Sequence, residues 1–244
     1  MPQGDIFMKR INVTIWNERE GPLGSYPNGI HNAIAEFLME NEEFAVRTAT
    51  LPQPEHGLTE DVLDNTDVLV YWAHRYHDLV DDVIVERIRR RVIDGMGFVA
   101  LHSAHASKIF SRLMGTDTKN LRWRESGELE RVWSIEPFHP IANGVPEYFN
   151  IPHSEMYGEL FNIPTPDELV FISWYEGGEV FRSGCTFKRG GGKIFYFSPG
   201  HEAFPIYYMP EIKRIITNSV RWAAQTHRLH ITTGHVPEFI GRDL

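Results

Sequence analysis

Cysteine is almost absent from this sequence, which has only Cys185 among its 244 residues. A single cysteine cannot form an internal disulfide, and it excludes thiolate zinc ribbons and CxxC redox motifs. Basic residues are also few, since 24 Lys and Arg stand against 33 Asp and Glu and leave a net charge of −9. That balance argues against a general nucleic-acid-binding protein.

Long hydrophobic runs are missing too. No segment approaches the ~20 consecutive apolar residues of a transmembrane helix, and no basic segment followed by an apolar one marks a signal peptide. We therefore expect a cytoplasmic protein that has neither a membrane nor a nucleic acid as its partner. Histidine, by contrast, occurs 12 times. Imidazole, carboxylate and hydroxyl groups are thus the expected carriers of any chemistry.

The length of 244 residues suits one large α/β domain or two small ones. The chain is 42% hydrophobic and 23% charged, as is typical of a globular protein. It shows no internal repeat and no linker that would divide it. We expect a single domain over residues 8–226, with an N-terminal extension at 1–7 and a C-terminal tail at 227–244.

The first half of the chain alternates apolar, β-branched runs with segments of helical period. The predicted strands are 11–16, 44–51, 67–72 and 97–101, and the predicted helices are 28–41, 59–63, 78–95 and a segment ending near 114. This alternation predicts right-handed βαβ units, hence an α/β fold with a mostly parallel sheet and helices on both faces.

The second half of the chain does not continue this alternation of strands and helices. Residues 169–174 and 180–188 flank a Gly-containing turn and predict an antiparallel hairpin. A strand at 193–197 and a final helix at 206–225 follow. The proline-punctuated segment 139–159 is interpreted as a long irregular insertion, preceded by a short strand at 132–136.

Polar residues gather where the predicted strands end. In open parallel sheets, ligands bind outside the carboxyl ends of the strands. Three of the four polar strand ends carry histidine, and Gly200 before His201 lets the backbone turn and expose the imidazole. The residues at these ends are Asn17 and Glu18, His74 and His77, His102 with Ser103 and His105, and His201 with Glu202.

Several of these residues have a structural alternative. His102 follows an apolar strand and could be a hydrogen-bonded core histidine. Ser103 lies where a strand turns into a helix, the place of a nucleophile elbow, but it lacks flanking glycines and could instead cap the helix. His74 and His77 straddle a loop, so their spacing does not imply a shared metal.

Five segments resemble motifs of one family. They are YWAH at 71–74 followed by His77, GFVALHSAH at 97–105, HPIANGVP at 139–146, HSEMY at 153–157 and PGHE at 199–202. Together they are similar to the trehalose-utilisation, or ThuA-like, family over residues 11–222. The resemblance implies a flavodoxin-like fold of the class I glutamine amidotransferase type. It also implies metabolism of trehalose and related disaccharides, on keto-sugar derivatives made by a partner dehydrogenase.

Amidotransferases of this fold use an elbow cysteine, whereas here Ser103 matches the elbow and Cys185 lies in the predicted hairpin. We therefore do not expect glutamine hydrolysis. The leading hypothesis is an isomerase, lyase or hydrolase that acts on a sugar or keto-sugar by proton transfer. In it His201 is the base, and His102 and Glu155 are polarising or acid groups. The predicted substrate-binding residues are Glu18, His74, His77, Ser103, His153 and Tyr157.

Three questions stay open at the level of sequence. His102, Glu155 and His201 could together bind a divalent metal such as zinc, or act without one. A non-catalytic sugar-binding or regulatory module is the alternative to an enzyme, and a serine hydrolase using Ser103 is a third class. The hairpin edge and the final helix favour a homo-oligomer such as a homodimer.

Overall fold

The computed structural model describes residues 10–225, so the predicted extension 1–7 and tail 227–244 lie outside the described residues. These residues form one nine-stranded sheet with the order β2-β1-β3-β4-β9-β8-β7-β5-β6. Its strands are β1 Ile11–Asn17, β2 Phe44–Thr50, β3 Val68–Trp72, β4 Gly97–Leu101, β5 Arg122–Ser134, β6 Tyr148–Gly158, β7 Glu168–Tyr175, β8 Val180–Arg189 and β9 Gly192–Phe197.

Within the described residues, five α-helices accompany the sheet. They are α1 Ile30–Met39, α2 Glu60–Asp64, α3 Asp82–Ile93, α4 Lys108–Met114 and α5 Pro210–Ala223. The last helix begins later than the predicted 206, because Pro210 takes its first position and residues Ile206–Tyr208 form a separate 3₁₀ turn. Among residues 10–225, no helix combines the length and the apolar character needed to cross a membrane.

The parallel half of the sheet follows from the apolar runs of the first half of the chain. Strands β1 to β4 and β9 pair in parallel, and every residue of β3 and β4 is buried. Helices α1 and α5 pack on one face, whereas α3 and α4 pack on the other. The α/β fold with helices on both faces of a large sheet is therefore confirmed.

The antiparallel half is larger than the predicted hairpin. The hairpin of β7 and β8 is present, and β9, β8, β7, β5 and β6 continue the sheet with antiparallel pairs. The interpretation of 139–159 as irregular is wrong, because Tyr148–Gly158 forms β6 and pairs with a β5 that is 13 residues long. Pro152 is tolerated there because β6 is the outermost strand and needs no second ladder of hydrogen bonds.

Candidate active site

Four side chains converge beyond the carboxyl edge of the parallel strands. His74, His102 and His201 follow β3, β4 and β9, and Glu155 comes from β6. One ligand-type atom from each of the four lies within 4.8 Å of the others. The ring centroids of His74 and His201 are 4.8 Å apart, and those of His74 and His102 are 5.2 Å apart. These four residues are called the histidine–glutamate cluster below.

His102 occupies a strained position directly after β4. Its φ of 55° lies in the left-handed region, which few residues other than glycine adopt and which tends to occur at functional sites. The sequence places Ser103 at the elbow, but the residue with positive φ is His102. Its ring is held between Trp72 and Tyr157, with centroid distances of 6.1 and 5.6 Å.

Hydrogen bonding fixes which nitrogen of His102 carries the proton. Nδ1 lies 3.2 Å from the carbonyl oxygen of Ser198, which can only accept, so Nδ1–H is the donor. Nε2 then carries a lone pair, and it lies 3.3 Å from Oε2 of Glu155. Burial lowers the pKa of His102 well below its ordinary value, so the ring is neutral.

Glu18 positions the loop that carries His74. Its carboxylate accepts the backbone N–H groups of His74, Arg75 and Tyr76 at 2.9 to 3.0 Å. Both oxygens are thereby occupied, and Glu18 is not among the residues that line the pocket. The predicted contact of Glu18 with substrate hydroxyls is therefore not what the structure shows. Its role is to fix the backbone of this loop.

His74 is held in turn by Glu202. Nδ1–H of His74 donates to that carboxylate, whose two oxygens lie 2.9 and 2.8 Å away. Burial is the largest single effect and lowers the pKa of His74, but the hydrogen bond and negative charge of Glu202, together with the charge of Glu155, outweigh it and the net direction is upward. The bond leaves Nε2 as the free nitrogen of His74. The sequence pointed to Glu202 only as the neighbour of His201.

In His201, the fourth member of the cluster, the donor and acceptor nitrogens are exchanged relative to His74 and His102. Its Nδ1 accepts the backbone N–H of Ala203 at 3.0 Å, so the neutral ring carries its proton on Nε2. That Nε2 is 4.0 Å from Oε1 of Glu125 and has no hydrogen-bond partner among residues 10–225. Burial lowers the pKa of His201. The sequence predicts a base at this position, whereas the hydrogen bond from Ala203 makes the neutral ring a donor.

Glu155 contributes a buried carboxyl, only 6% exposed. Burial raises its pKa to about 7. Its Oε2, like Nε2 of His102, finds no hydrogen-bond partner within the described part of the chain. Buried polar atoms are nearly always paired, so several unpaired atoms close to one another indicate a place for a ligand.

A cavity of about 440 Å³ opens beside the cluster. His74 and Glu155 form part of its wall, together with the predicted residues His77, Ser103 and Tyr157. Ser103 and Tyr157 are hydrogen-bonded through their hydroxyls, and no hydrogen bond joins Ser103 Oγ to a histidine among residues 10–225. The wall also includes Arg75, Lys119, Trp123 and Glu125.

One predicted residue, His153, and the lone cysteine lie away from the cavity. His153 is exposed on β6, bonds the carbonyl oxygen of Gly127 and does not line the cavity. Cys185 is buried in β8, and burial raises the pKa of its thiol to about 12. Trp123 and Glu125 belong to the part of β5 that the sequence did not identify as a strand. Residues 122–129 are charged or polar apart from Trp123, Gly127 and Leu129, so the sequence carries little signal of a strand there.

Comparison with known proteins places the chain in a family. The family model described as trehalose utilisation, ThuA, matches residues 12–223. The chain belongs to the ThuA family. A ThuA-like protein from Parabacteroides merdae is 16% identical, with 94% of each chain covered and a TM-score of 0.67. A cytoplasmic protein from Salmonella typhimurium is 14% identical over 87% of this chain and 99% of its own, with a TM-score of 0.61.

The fold also occurs within larger enzymes. This ThuA-family chain covers 31% of a β-galactosidase from Rahnella sp. R3, with 88% of its own length matched, 12% identity and a TM-score of 0.57. The comparison with curated proteins finds no match. At these identities the structural likeness establishes the fold, and the chemistry has to be argued from the site itself.

Proposed function

We propose that this ThuA-family protein is an enzyme that transfers protons on a sugar or keto-sugar derivative. The observation that carries the proposal is the pairing of donor and acceptor atoms in the histidine–glutamate cluster. His201 presents Nε2–H, whereas His102 presents a lone pair and Glu155 a carboxyl, and Glu155 and His74 of the same cluster line the neighbouring cavity. An enolisation or elimination next to a carbonyl needs such a pair of opposed groups.

The cavity suits a polyhydroxylated ring. A volume of about 440 Å³ fits a sugar unit. Trp123, which is 63% exposed, offers a flat apolar face at the wall, and Ser103 and Tyr157 offer hydroxyls. The family description, trehalose utilisation, supports a disaccharide or its keto derivative as the substrate class.

The strand order supports the choice of scaffold. The parallel strands follow the order β2-β1-β3-β4-β9, which corresponds to the flavodoxin-like arrangement. Ligands of that arrangement bind outside the carboxyl ends of the strands, where the cluster lies. The flavodoxin-like assignment forms part of this proposal.

The test is turnover of trehalose and its keto derivatives, followed by NMR in D₂O. Proton transfer beside a carbonyl is expected to give exchange of the adjacent C–H for deuterium, with or without further product. His201→Gln should lower the rate by ~100-fold or more. His56→Asn is the matched control, because His56 has a φ of 55° that asparagine tolerates and lies outside the histidine–glutamate cluster.

Full turnover by the His201→Gln protein would overturn the assignment of His201 as the hydrogen-bond donor to the oxygen that gains negative charge in the proton transfer. Saturable binding of these sugars by the wild-type protein, with neither exchange nor product, would favour a sugar-binding module over an enzyme. Equal losses in His201→Gln and His56→Asn would indicate a general structural effect and also count against the assignment.

A further inference from the structure

We propose that His74, His102 and Glu155 bind a divalent transition-metal ion of the zinc type. Two imidazoles and one carboxylate are a ligand set that leaves a coordination position open for water or substrate. The ligand set predicted from the sequence has His201 in place of His74. The hydrogen bonds around each ring favour His74 as the ligand.

The partners of the two imidazoles are those typical of metal-bound histidine. His102 donates Nδ1–H to the carbonyl of Ser198, and His74 donates Nδ1–H to the carboxylate of Glu202. Ligating histidines nearly always donate their second N–H to a carbonyl or carboxylate, which fixes the ring and frees Nε2 for the ion. Both rings are therefore held in the form that a metal ion requires.

The spacing of the ligand atoms agrees with this assignment. A tetrahedral ion with bonds of ~2.0–2.1 Å holds its ligand atoms about 3.3 Å apart. Nε2 of His102 and Oε2 of Glu155 are 3.3 Å apart, and neither has a hydrogen-bond partner among residues 10–225. Each of the four residues of the histidine–glutamate cluster brings a ligand-type atom within 4.8 Å of the others. Small movements of the side chains would bring these atoms to the distances that a bound ion requires.

The burial of the Glu155 carboxylate also favours a bound cation. Glu155 and His102 are 6% and 1% exposed, so an ionised carboxylate there has little water to solvate it. Such a group is costly unless it is paired with a cation or a metal. Among residues 10–225, the cavity's lysine and arginine make no ion pair with Glu155. A divalent ion would supply the missing positive charge.

His201 is excluded from the ligand set by its own hydrogen bond. To bind an ion through Nε2 the ring would need its proton on Nδ1, which would then oppose the N–H of Ala203 at 3.0 Å. Its Nε2–H instead donates to an oxygen held at the open position of the ion. The metal would polarise a sugar carbonyl or hydroxyl there. This chemical role, unlike the binding itself, rests on the proposed function, and in it His102 and Glu155 would act on the substrate oxygen through the ion rather than as direct proton acceptors.

Metal binding is measured without substrate. Protein stripped with a chelator is titrated with ZnCl₂ by calorimetry, and Co²⁺ is used in parallel because its visible absorption reports the geometry of its ligands. One equivalent is expected to bind to the wild-type protein. His102→Asn, which tolerates the positive φ, and Glu155→Gln should each weaken binding by at least ~10–100-fold.

Three controls complete the design. His201→Gln should still bind one equivalent of metal ion with near-wild-type affinity. His56→Asn and Glu176→Gln should do the same, because they replace a histidine and a glutamate that lie outside the histidine–glutamate cluster. His74→Gln, on the loop held by Glu18, provides a second ligand variant if His102→Asn does not fold, as judged by circular dichroism. Loss of binding in His201→Gln would overturn the three-ligand assignment.

The inference fails if the wild-type protein binds no zinc or cobalt at micromolar concentration. It also fails if both His102→Asn and Glu155→Gln bind as tightly as the wild-type protein. Binding of one metal equivalent without sugar turnover would leave the inference standing and count only against the proposed function. Sugar turnover by protein that holds no metal, unchanged by chelator, would support the proposed function and count against the metal site.

Discussion

At the scale of single residues, the partner of one ring nitrogen decides what the other nitrogen can do. The strand-end rule predicted that His74, His102 and His201 would lie together, and Glu155 was included through its resemblance motif. The sequence could not give their roles, because these depend on whether a carbonyl, a carboxylate or an N–H lies within about 3 Å of each Nδ1. The hydrogen bonds of Glu18 could not be predicted for the same reason, since only the folded loop brings three backbone N–H groups to its carboxylate.

Trp123 offers a prediction at this scale. If its indole covers one face of the sugar, Trp123→Ala should raise KM by ~3–10-fold and leave kcat within about twofold, because stacking is worth ~1 kcal/mol and the proton-transfer groups are untouched. The measurement is steady-state kinetics on the substrate found in the turnover assay. Trp174→Ala is the matched control, since Trp174 is 36% exposed in β7 and does not line the cavity. Equal kinetics for both variants would remove Trp123 from the binding site.

At the scale of elements, the turn after β9 sets the position of His201 and Glu202. Gly200 has a φ of 147°, its carbonyl accepts the indole N–H of Trp72 at 3.1 Å, and a Cβ added there would meet the hydroxyl of Tyr207. Tyr207 is fully buried, so it cannot move aside cheaply. The glycine before His201 was recognised in the sequence as a turn residue, but its close approach to Tyr207 was not.

Gly200→Ala is therefore expected to destabilise the protein by about 2–3 kcal/mol, through overpacking added to backbone strain. Urea denaturation gives the value. Gly178→Ala provides the comparison, because Gly178 also has a positive φ, 93°, but a Cβ there meets nothing within 4 Å. That variant should lose only about 1 kcal/mol. Similar losses for the two variants would show that the contact with Tyr207 is unimportant.

The elements themselves were predictable to different degrees. The parallel strands and their helices follow from continuous apolar runs and helical periods, which a buried α/β core requires. Strand β6 was not predictable in this way, since its proline and its exposed residues resemble those of a loop. It becomes a strand because β5 provides a partner along its length, and such long-range pairing leaves little local trace.

At the scale of the whole molecule, the antiparallel half contains a buried charge site of its own. Glu130 in β5 is fully buried and accepts hydrogen bonds from the hydroxyls of Ser154, Ser173 and Tyr175 at 2.6, 2.6 and 3.2 Å. Burial raises the pKa of this carboxyl even though the hydrogen bonds act in the other direction.

The predicted homo-oligomer, which light scattering would test, stays a prediction.

The pH dependence of stability follows from that shift. Because the pKa of Glu130 is higher in the folded state than the ~4.3 of an unfolded glutamate, the folded state binds this proton more tightly. Its contribution to stability is therefore complete below about pH 4 and is lost as the pH rises through the folded pKa. Glu130→Gln keeps the shape of the side chain but cannot ionise, so the variant should escape this loss.

The measurement is the free energy of unfolding by urea at a series of pH values from about 4 upward, compared as the difference between variant and wild type. The difference should shift in favour of Glu130→Gln as pH rises, by ~1.4 kcal/mol for every tenfold change in proton affinity between the two states. Glu176→Gln, at an exposed turn, should follow the wild-type curve at every pH. Parallel curves for wild type and Glu130→Gln would mean that the buried carboxyl does not bind its proton more tightly on folding, and that its three hydrogen bonds fully offset its burial.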